Sequence, residues 1–270
     1  MNKEYPTQEL IENSPFGYFL KQITDGVSVL EFGAATGYMT RYLSEERNCR
    51  VTCIEINPQS AKVCQQYAER VIVSDIDTGD WDSQLENKYD YILFADVLEH
   101  LKYPETALTK AIRFLAPEGV VITSIPNIAH NAIILSLSKG RFDYTQYGLL
   151  DDTHIRFFTR KSMNEIFERI GLVCTGENSS IRRPGVISVG EYYCTSPFLS
   201  LAIFRRTDAH IYQFICKWER GGKDGYQKVQ KKHRIPFYSI PYLCCLDFKD
   251  YLLNRHRIDC LKWFRRNNKR

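Results

Sequence analysis

The amino-acid sequence predicts an α/β fold in which helices cover both faces of a mostly parallel sheet. Short, continuously apolar segments alternate with segments whose apolar residues recur at helical spacing. This order is typical of parallel strands that are joined by helical crossovers. The chain has 270 residues, of which 44% are hydrophobic and 25% charged. That balance suits one globular domain with an addition and excludes wholesale disorder.

Seven strands are predicted along the chain. Each is a short apolar run, and the first five runs are 27–31, 50–55, 71–74, 91–94 and 120–124. Two later runs, 172–175 and 199–204, complete a seven-stranded sheet. Continuous apolar runs, rather than alternating ones, indicate strands that are buried on both faces.

Helices are predicted between these strands. The segment 37–45 follows the first strand, and apolar residues share one helix face across 104–115. Asn57 suits the N-cap of a further helix and Pro58 its first position. The regular succession of strand and helix supports the parallel arrangement.

The longest connection, 126–171, lies between the fifth and sixth strands. It contains helix candidates over 132–138 and 161–170 around a polar, aromatic loop. Long connections above a sheet often bind substrates, so we predict that this insert is a substrate lid. The domain as a whole is predicted to span residues 1–206.

The C-terminal extension, 207–270, differs in charge from the rest of the chain. It carries 15 Lys and Arg against 6 Asp and Glu, a net +9, whereas the preceding residues carry 21 against 26, a net −5. We predict helices over 210–220 and 247–264. A basic, aromatic-rich segment suits an anionic partner, the inner membrane surface, an acidic lipid-linked substrate or RNA. The alternative is a helical appendage that packs on the body or on the second subunit of a homodimer.

Several classes of site and location are excluded or disfavoured. No apolar run approaches the ~18 residues of a membrane span, and the first residues lack the apolar core of a signal peptide. The nine cysteines are scattered and show no C-x-x-C pair, which favours free thiols in a reducing cytoplasm. The histidines and acids of the insert lack recognisable ligand spacing, so no metal is predicted.

The strongest motif is the turn after the first strand, Glu31-Phe32-Gly33-Ala34-Ala35-Thr36-Gly37. Glycines there allow a ligand to approach the main chain closely. Tyr38 stands where a dinucleotide-binding motif would have its third glycine. Glu31 would repel a pyrophosphate but suits a ligand that carries an ammonium group. A nicotinamide-dependent dehydrogenase is therefore the weakest of the hypotheses that we consider.

Three further motifs follow the second, third and fourth strands. They are Glu55-Ile56, Ser74-Asp75-Ile76 and the run Ala95-Asp96-Val97-Leu98-Glu99-His100. Together with the glycine turn, they resemble the class I S-adenosylmethionine-dependent methyltransferases over residues 19–204. The resemblance is strongest to the branch of quinone-precursor O-methyltransferases and methyltransferases associated with polysaccharide biosynthesis. It implies a Rossmann-like fold and S-adenosylmethionine as the cofactor.

The resemblance also implies which residues bind the cofactor. The turn would surround the methionine part, Glu55 would accept the ribose hydroxyls, and Asp75 would accept from the adenine amino group. The residues carried over from the family are Glu31, Gly33, Ala34, Gly37, Glu55, Ile56, Asp75, Ile76, Ala95, Asp96 and Val97. Ala35 departs from the glycine that many members have. His100 and Glu99 are interpreted as structural residues.

The insert supplies the candidates for the substrate side. Its Pro-Asn…His and Leu-Asp-x-Thr-His-x-Arg-Phe-Phe patterns resemble the polysaccharide-associated branch. Methyl transfer to a hydroxyl needs a base, and histidine is the usual one. The predicted catalytic residues are His130, His154 and Asp151, and the predicted substrate contacts are Arg141, Tyr144 and Arg156. The alternative is that Asp151, His154 and Arg156 form a hydrogen-bonded brace for the loop.

These observations favour a cytoplasmic enzyme that methylates a hydroxyl, in preference to an amine, of a small molecule or glycan precursor. One alternative is a cofactor-binding scaffold without turnover. Another is an RNA methyltransferase that grips its substrate with the basic extension. The Asn/Asp-Pro-Pro-aromatic run of base amino-methylation and a Pro-Cys nucleophile are both absent from the sequence, but RNA remains open as a substrate.

Overall fold

The computed structural model of the chain describes residues 15–182, 206 and 208–221. The strands in this part are β1 (Ser28–Phe32), β2 (Arg50–Glu55), β3 (Arg70–Val73), β4 (Tyr89–Ala95), β5 (Leu115–Pro126), β6 (Leu172–Glu177), β7 (Ser180–Ile181) and β8 (Ile211–Arg220). The α-helices are α1 (Pro15–Leu20), α2 (Tyr38–Glu45), α3 (Pro58–Cys64), α4 (Pro104–Ala111), α5 (Asn131–Leu137) and α6 (Arg160–Arg169). Short 3₁₀ turns cover Asp82–Gln84, Leu98–His100 and Ile112–Phe114.

The sheet has the order β3-β2-β1-β4-β5-β8-β6, and the short β7 pairs with β8. Neighbours from β3 to β5 pair in parallel, whereas β8 runs antiparallel to both β5 and β6. The order reverses at β1, so right-handed crossovers place helices on both faces of the sheet. The predicted α/β, Rossmann-like, seven-stranded and mostly parallel fold is confirmed.

Most local predictions in the first 180 residues agree with the structure, but the helix predicted over 104–115 ends at Ala111 and a 3₁₀ turn, Ile112–Phe114, follows it. The first six predicted strands coincide with β1 to β6, and the helix predicted over 161–170 is α6. Asn57 is the N-cap of α3, because its Oδ1 accepts hydrogen bonds from Gln59 N at 2.9 Å and Ser60 N at 3.1 Å. Pro58 begins that helix, as the sequence predicts.

The helix predicted over 210–220 is wrong, because this segment forms β8. Both faces of β8 are largely buried. Trp218 donates from Nε1 to Thr123 Oγ1 at 2.9 Å and stacks on Phe167 with 3.9 Å between ring centroids. These residues therefore belong to the sheet and not to a separate extension. The strand predicted at 199–204, the helix predicted at 247–264 and most of the basic extension lie outside the described residues.

The described residues divide into two compact units. Residues 15–127, 153–180 and 213–221 belong to the first unit, and residues 128–152, 181–182, 206 and 208–212 belong to the second. A large apolar cluster around β1, β2 and α2 forms the core of the first unit. A smaller cluster in the second contains Ala132, Ile133, Leu149, Leu150 and Tyr212. The predicted lid, 126–171, is thus shared between the units.

Two further findings concern the described part of the chain. No helix there is long and apolar enough to cross a membrane. The cysteines described are free thiols, namely Cys49, Cys53, Cys64, Cys174 and Cys216. The prediction of free thiols holds for these five residues.

Candidate cofactor and acceptor sites

The turn between β1 and α2 follows a main-chain path that favours glycine. Gly33, Ala35 and Gly37 have φ values of 69°, 50° and 81°, all in the left-handed region. A Cβ atom at Gly33 would lie 2.7 Å from Val97 Cγ2, and one at Gly37 would lie 3.0 Å from Cys64 Cα. The glycines therefore keep the turn free of side chains that would distort it.

Glu31, at the end of β1, is a fully buried acid. Its Oε2 accepts a hydrogen bond from Thr40 Oγ1 at 2.7 Å, whereas Oε1 accepts none from any residue that the structure describes. Burial raises the pKa of the carboxyl from 4.5 to about 8, although the Thr40 hydrogen bond acts in the opposite direction. A positively charged ligand would stabilise the ionised form of this buried carboxyl, which burial alone disfavours.

Glu55, at the end of β2, is held by the main chain of the turn. Its Oε2 accepts from Ala35 N and its Oε1 from Asn57 N, both at 2.8 Å. Ala34, in the same turn, is buried, and its carbonyl oxygen accepts from the amide of Gly37 at 2.8 Å. Next to this fixed acid, Ile56 is 62% exposed. An oriented carboxylate beside an exposed apolar side chain suits a ribose with an attached base.

Asp75 and Ile76 follow β3, and the Asp75 carboxylate accepts hydrogen bonds from its own loop. Its Oδ1 accepts from Asp77 N at 2.7 Å and its Oδ2 from Thr78 Oγ1 at 2.9 Å. Ile76 is buried, and its carbonyl oxygen accepts from Trp81 Nε1 at 3.0 Å. A carboxylate offers about four lone-pair positions, so these hydrogen bonds leave Asp75 able to accept another from adenine. That contact stays a prediction.

Asp96 ends β4 in a left-handed conformation, with φ of 55°. Its Oδ1 accepts from Ser124 Oγ at 2.8 Å and from Gln213 Nε2 at 2.6 Å. Ala95 before it is partly exposed and Val97 after it is buried. The sequence motifs do not point to Ser124 or Gln213 as partners of Asp96. Gln213 could not be found because its segment was assigned to a helix.

After β4, the 3₁₀ turn Leu98–His100 is joined to the loop that carries His154. The carbonyl oxygen of Glu99 accepts hydrogen bonds from Ile155 N at 3.0 Å and Arg156 N at 2.9 Å. These main-chain bonds bring together residues that are more than 50 positions apart in the sequence. The local spacing of the motif gives no sign of this contact.

Three side chains converge at this junction. Glu99 is 1% exposed and His154 is 8% exposed. Glu99 Oε1 lies 3.9 Å from His154 Nε2, and the rings of His154 and His100 meet edge to face at 4.8 Å. His100 Nδ1 lies 3.1 Å from the carbonyl oxygen of Thr153. One predicted catalytic residue, His154, therefore lies beside two residues that the sequence analysis interpreted as structural.

His130, the other predicted base, belongs to the second unit and is completely buried. Its Nδ1 accepts from Ala132 N at 3.1 Å, and its Nε2 donates to the carbonyl oxygen of Arg182 at 2.8 Å. Burial lowers the pKa of the ring from 6.5 to about 4. Both nitrogens of a neutral ring are thus engaged, one of them in capping α5. These contacts give His130 a structural role as the N-cap of α5, and its role as a catalytic base stays a prediction.

The remaining substrate candidates occupy different settings. Asp151 is buried in the second unit, where Arg141 pairs with Asp143 at 2.7 Å and Tyr144 is exposed. Arg156 is exposed in the first unit, and its Nη2 donates to the carbonyl oxygen of Lys102 at 2.7 Å. Arg156 also lines an open groove of 680 Å³. Contact between these residues and a substrate stays a prediction.

Comparison with known proteins identifies the family. A family model described as a methyltransferase domain matches residues 8–176, which is more than half of the chain. The chain belongs to the class I S-adenosylmethionine-dependent methyltransferases. The predicted family and the predicted cofactor, S-adenosylmethionine, are confirmed. The match does not distinguish the branches of the family.

Two curated relatives of this methyltransferase act on nitrogen, according to their names. The (S)-coclaurine N-methyltransferase of Thalictrum flavum subsp. glaucum is 28% identical over 117 residues, which cover 40% of this chain and 31% of that protein. The (S)-tetrahydroprotoberberine N-methyltransferase of Eschscholzia californica is 26% identical over 113 residues, which cover 40% and 32%. The match thus spans about a third of the length of these relatives.

Solved structures share the fold of this methyltransferase. A SAM-dependent methyltransferase from Archaeoglobus fulgidus has a TM-score of 0.57 and 14% identity, with 79% of this chain and 95% of that chain covered. The magnesium protoporphyrin IX methyltransferase from Synechocystis with bound SAH has a TM-score of 0.52 and 15% identity, with 79% and 83% covered. At these identities the likeness concerns the fold alone.

The residues of this methyltransferase fit the cofactor. Glu31 Oε1, which accepts no hydrogen bond from the described residues, suits the ammonium group. Gly33 allows Val97 to pack close to the turn, because a Cβ atom there would lie 2.7 Å from Val97 Cγ2. Glu55 is oriented toward the same turn, since it accepts from Ala35 N. The fit is therefore made by one carboxylate that suits the ammonium group and by a second carboxylate that is held beside the turn.

Proposed function

We propose that this methyltransferase transfers a methyl group from S-adenosylmethionine to a hydroxyl oxygen of a small molecule or glycan precursor. The observation that carries the cofactor part is the pair of buried acids at the ends of β1 and β2, Glu31 and Glu55. Glu31 holds the ammonium group, and Glu55 accepts hydrogen bonds from the ribose hydroxyls. Ile56 packs against the adenine. The bound cofactor supplies an electrophilic methyl group.

The acceptor half of the proposal depends on the junction of Glu99, His100 and His154. A hydroxyl must lose its proton when the methyl group is transferred, and a positioned group of suitable basicity accelerates this step. The junction follows directly after Ala95–Val97, the segment expected to line the mouth of the cofactor site. Glu99 lies near His154 and can stabilise positive charge on its ring. Proton removal is therefore assigned to this junction and not to His130.

The contacts of Arg141, Tyr144, Arg156 and Asp151 with the acceptor remain part of this proposal. Arg141 and Arg156 carry the charge that suits a phosphate or carboxylate on the acceptor. Tyr144 is exposed. A lid residue must be exposed in the free protein if it is to cover a substrate later. A role for the insert as a lid is proposed on the same grounds.

An amine acceptor is the second candidate. The names of the two curated relatives, both N-methyltransferases, favour it. A neutral amine already presents a lone pair to the methyl group. Methyl transfer to an amine therefore depends more on the position of the acceptor than on a base. This difference separates the two candidates experimentally.

Calorimetric titration with S-adenosylhomocysteine tests the cofactor half. The wild-type protein should bind, and Glu55→Ala should weaken binding by at least tenfold, because charge-assisted hydrogen bonds contribute about 1.5–3 kcal/mol each. Glu105→Ala, which removes an exposed acid paired with Arg169 at 2.7 Å, is the matched control and should bind normally. Folded wild-type protein that fails to bind at millimolar ligand would refute the proposal.

A methyl-transfer assay with matched hydroxyl and amine acceptors tests the acceptor half. His154→Ala should abolish most turnover of a hydroxyl acceptor, by about 100-fold or more if the base contributes a typical amount. The same variant should retain turnover of an amine acceptor. Equal losses for both acceptors would contradict proton removal at this junction.

A further inference from the structure

Glu99, His100 and His154 form a cluster of metal-ligating side chains, and one ligand atom from each lies within 4.8 Å of the others. We propose that this cluster binds one divalent metal ion. The sequence predicts no metal, because these three ligands do not stand at a recognisable local spacing. Here two ligands come from the 3₁₀ turn after β4 and the third comes from a loop more than 50 residues later.

The main chain positions the cluster before any ion arrives. Glu99 and His100 are neighbours in one 3₁₀ turn. The hydrogen bonds from Ile155 N and Arg156 N to the Glu99 carbonyl oxygen fix the loop that carries His154. A site held by main-chain hydrogen bonds loses little conformational entropy when it binds a ligand. Three donors arranged in this way form a partly built coordination shell.

The hydrogen bond of His100 leaves the correct nitrogen available. Its Nδ1 lies 3.1 Å from the carbonyl oxygen of Thr153. Thr153 Oγ1 lies 3.2 Å from the same nitrogen. In the tautomer that donates from Nδ1 to the carbonyl oxygen, Nε2 keeps its lone pair. Histidine ligands of metal ions commonly donate their other N–H to a carbonyl oxygen or a carboxylate. The Nδ1–H tautomer of His100 therefore has the supporting contact that a metal ligand needs.

The separation of Glu99 from His154 also suits an ion between them. The distance from Oε1 to Nε2 is 3.9 Å, which is longer than a hydrogen bond of about 3 Å. Two atoms that each lie about 2.1 Å from one ion are about 3.0–4.2 Å apart, depending on the angle at the ion. The carboxylate is also 1% exposed. A divalent cation would offset the cost of burying its charge.

The donor set indicates the class of ion. Two imidazole nitrogens and one carboxylate oxygen, without a thiolate in the cluster, suit Mn²⁺, Fe²⁺, Co²⁺, Ni²⁺ or Zn²⁺. Three protein ligands leave coordination positions open, as catalytic sites do. An acceptor hydroxyl at an open position would lose its proton more readily, and with the ion bound His154 acts as a ligand and not as the base. This last role depends on the proposed function, whereas binding of the ion does not.

Electron paramagnetic resonance with Mn²⁺ alone tests the site in the full-length protein. Free aqueous Mn²⁺ gives a strong signal that weakens on binding, and the nine cysteines of the chain are poor ligands for this hard ion. We expect uptake of one tightly bound Mn²⁺ per chain. Wild-type protein that takes up no Mn²⁺ at millimolar concentration would overturn the proposal.

Matched variants locate the ion. Glu99→Gln and His154→Ala should each weaken Mn²⁺ binding at least tenfold, since even the loss of a group that supports a metal ligand costs about 10–100-fold. Glu105→Gln makes the same chemical change at an exposed acid outside the cluster and should bind as the wild type does. Equal Mn²⁺ affinity in all variants would place the ion elsewhere and overturn the proposal.

His100→Asn separates a metal ligand from a structural brace. The asparagine amide can still donate to the Thr153 carbonyl oxygen, but it lacks the Nε2 atom. The circular dichroism spectrum and melting temperature should therefore change little, while Mn²⁺ affinity falls at least tenfold. A variant that folds normally and binds Mn²⁺ normally would exclude His100. Normal S-adenosylhomocysteine binding without Mn²⁺ uptake would refute the metal site and leave the proposed function intact.

Discussion

Glu31 and Glu55 end the neighbouring strands β1 and β2, but the fold treats the two buried acids differently. Glu55 accepts two main-chain N–H groups, from Ala35 and Asn57, at 2.8 Å each. Glu31 accepts one hydroxyl, from Thr40, and its other oxygen accepts nothing from the described residues. One acid is oriented before a ligand arrives, whereas the other obtains its second partner from the ligand. Similar motif positions can therefore have different physical roles.

The turn between the two acids offers the largest test of this comparison. Gly33→Ala should destabilise the protein by about 3 kcal/mol, because it combines a left-handed φ with overpacking against Val97. Gly26→Ala is the matched control, since its φ is 75° but a Cβ atom there would meet no atom of the described residues within 4 Å. It should cost about 1–2 kcal/mol. Chemical denaturation measures both values.

Cofactor affinity extends the same test. Gly33→Ala displaces the main chain that leads to Ala35 N, the donor to Glu55. S-adenosylhomocysteine should therefore bind more weakly to Gly33→Ala and normally to Gly26→Ala. If both variants bound equally well, the turn would tolerate a side chain at Gly33. Close packing against Val97 would then not control cofactor binding.

The pH dependence of cofactor binding distinguishes the role of Glu31 from that of Glu55. With its pKa at about 8, Glu31 is protonated in the free protein near pH 6 and must ionise to pair with an ammonium group. Affinity for S-adenosylhomocysteine should rise by up to tenfold per pH unit well below this pKa, or about 50-fold between pH 6 and pH 8. Titration calorimetry at several pH values measures this rise.

Two amide variants assign the slope. Glu31→Gln should remove most of the pH dependence, because it cannot ionise. Glu55→Gln should weaken binding at every pH but keep the slope. A flat profile for the wild type, or a slope that survives in Glu31→Gln, would show that Glu31 does not pair with the ligand.

The sequence predicts this edge of the sheet well because its signals are local. The glycines of the turn, Glu31 and Glu55 all lie within a few residues of a strand end, and their chemistry is specified by those neighbours. His130 is the contrary case. Its helix-capping contact to Ala132 is local, but its burial and its bond to Arg182 depend on a distant segment. A histidine that looks like a base in the sequence is therefore a buried cap.

Two other features required the tertiary structure. β8 lies between β5 and β6 and is buried on both faces, so its sequence lacks the alternation of an exposed strand. The sequence of the segment 211–220 does contain Ile, Tyr, Phe and Trp, which are residue types that favour strands. The cluster of Glu99 and His154 forms through main-chain bonds across more than 50 residues. Spacing along the chain carries no information about such a contact.

The smallest effect concerns the stability of the ligand-free protein. The pKa of Glu31 is higher in the folded protein than in the unfolded chain, so the folded state retains a proton that the unfolded state releases. The free energy of unfolding should therefore fall as pH rises from 4.5 to 8. His130, whose pKa is lowered to about 4, acts in the opposite direction between pH 6.5 and 4. The range from pH 6.5 to 8 lies above the titration of His130 and includes that of Glu31. The pKa of the Cys64 thiol is lowered by its hydrogen bond with Cys53, so ionisation of this thiol acts against the Glu31 effect.

Within that range the wild-type protein should lose about 2 kcal/mol, from 1.36 kcal/mol for each pH unit over which Glu31 holds its extra proton. Glu31→Gln should show almost none of this loss, because it has no titratable group. Urea denaturation at pH 6.5 and pH 8 measures the difference. Saturating S-adenosylhomocysteine should also suppress the loss in the wild type, since the paired carboxylate no longer needs the proton. Equal losses in the wild type and Glu31→Gln would show that another group titrates, and the contrast between the two acids would then rest on geometry alone.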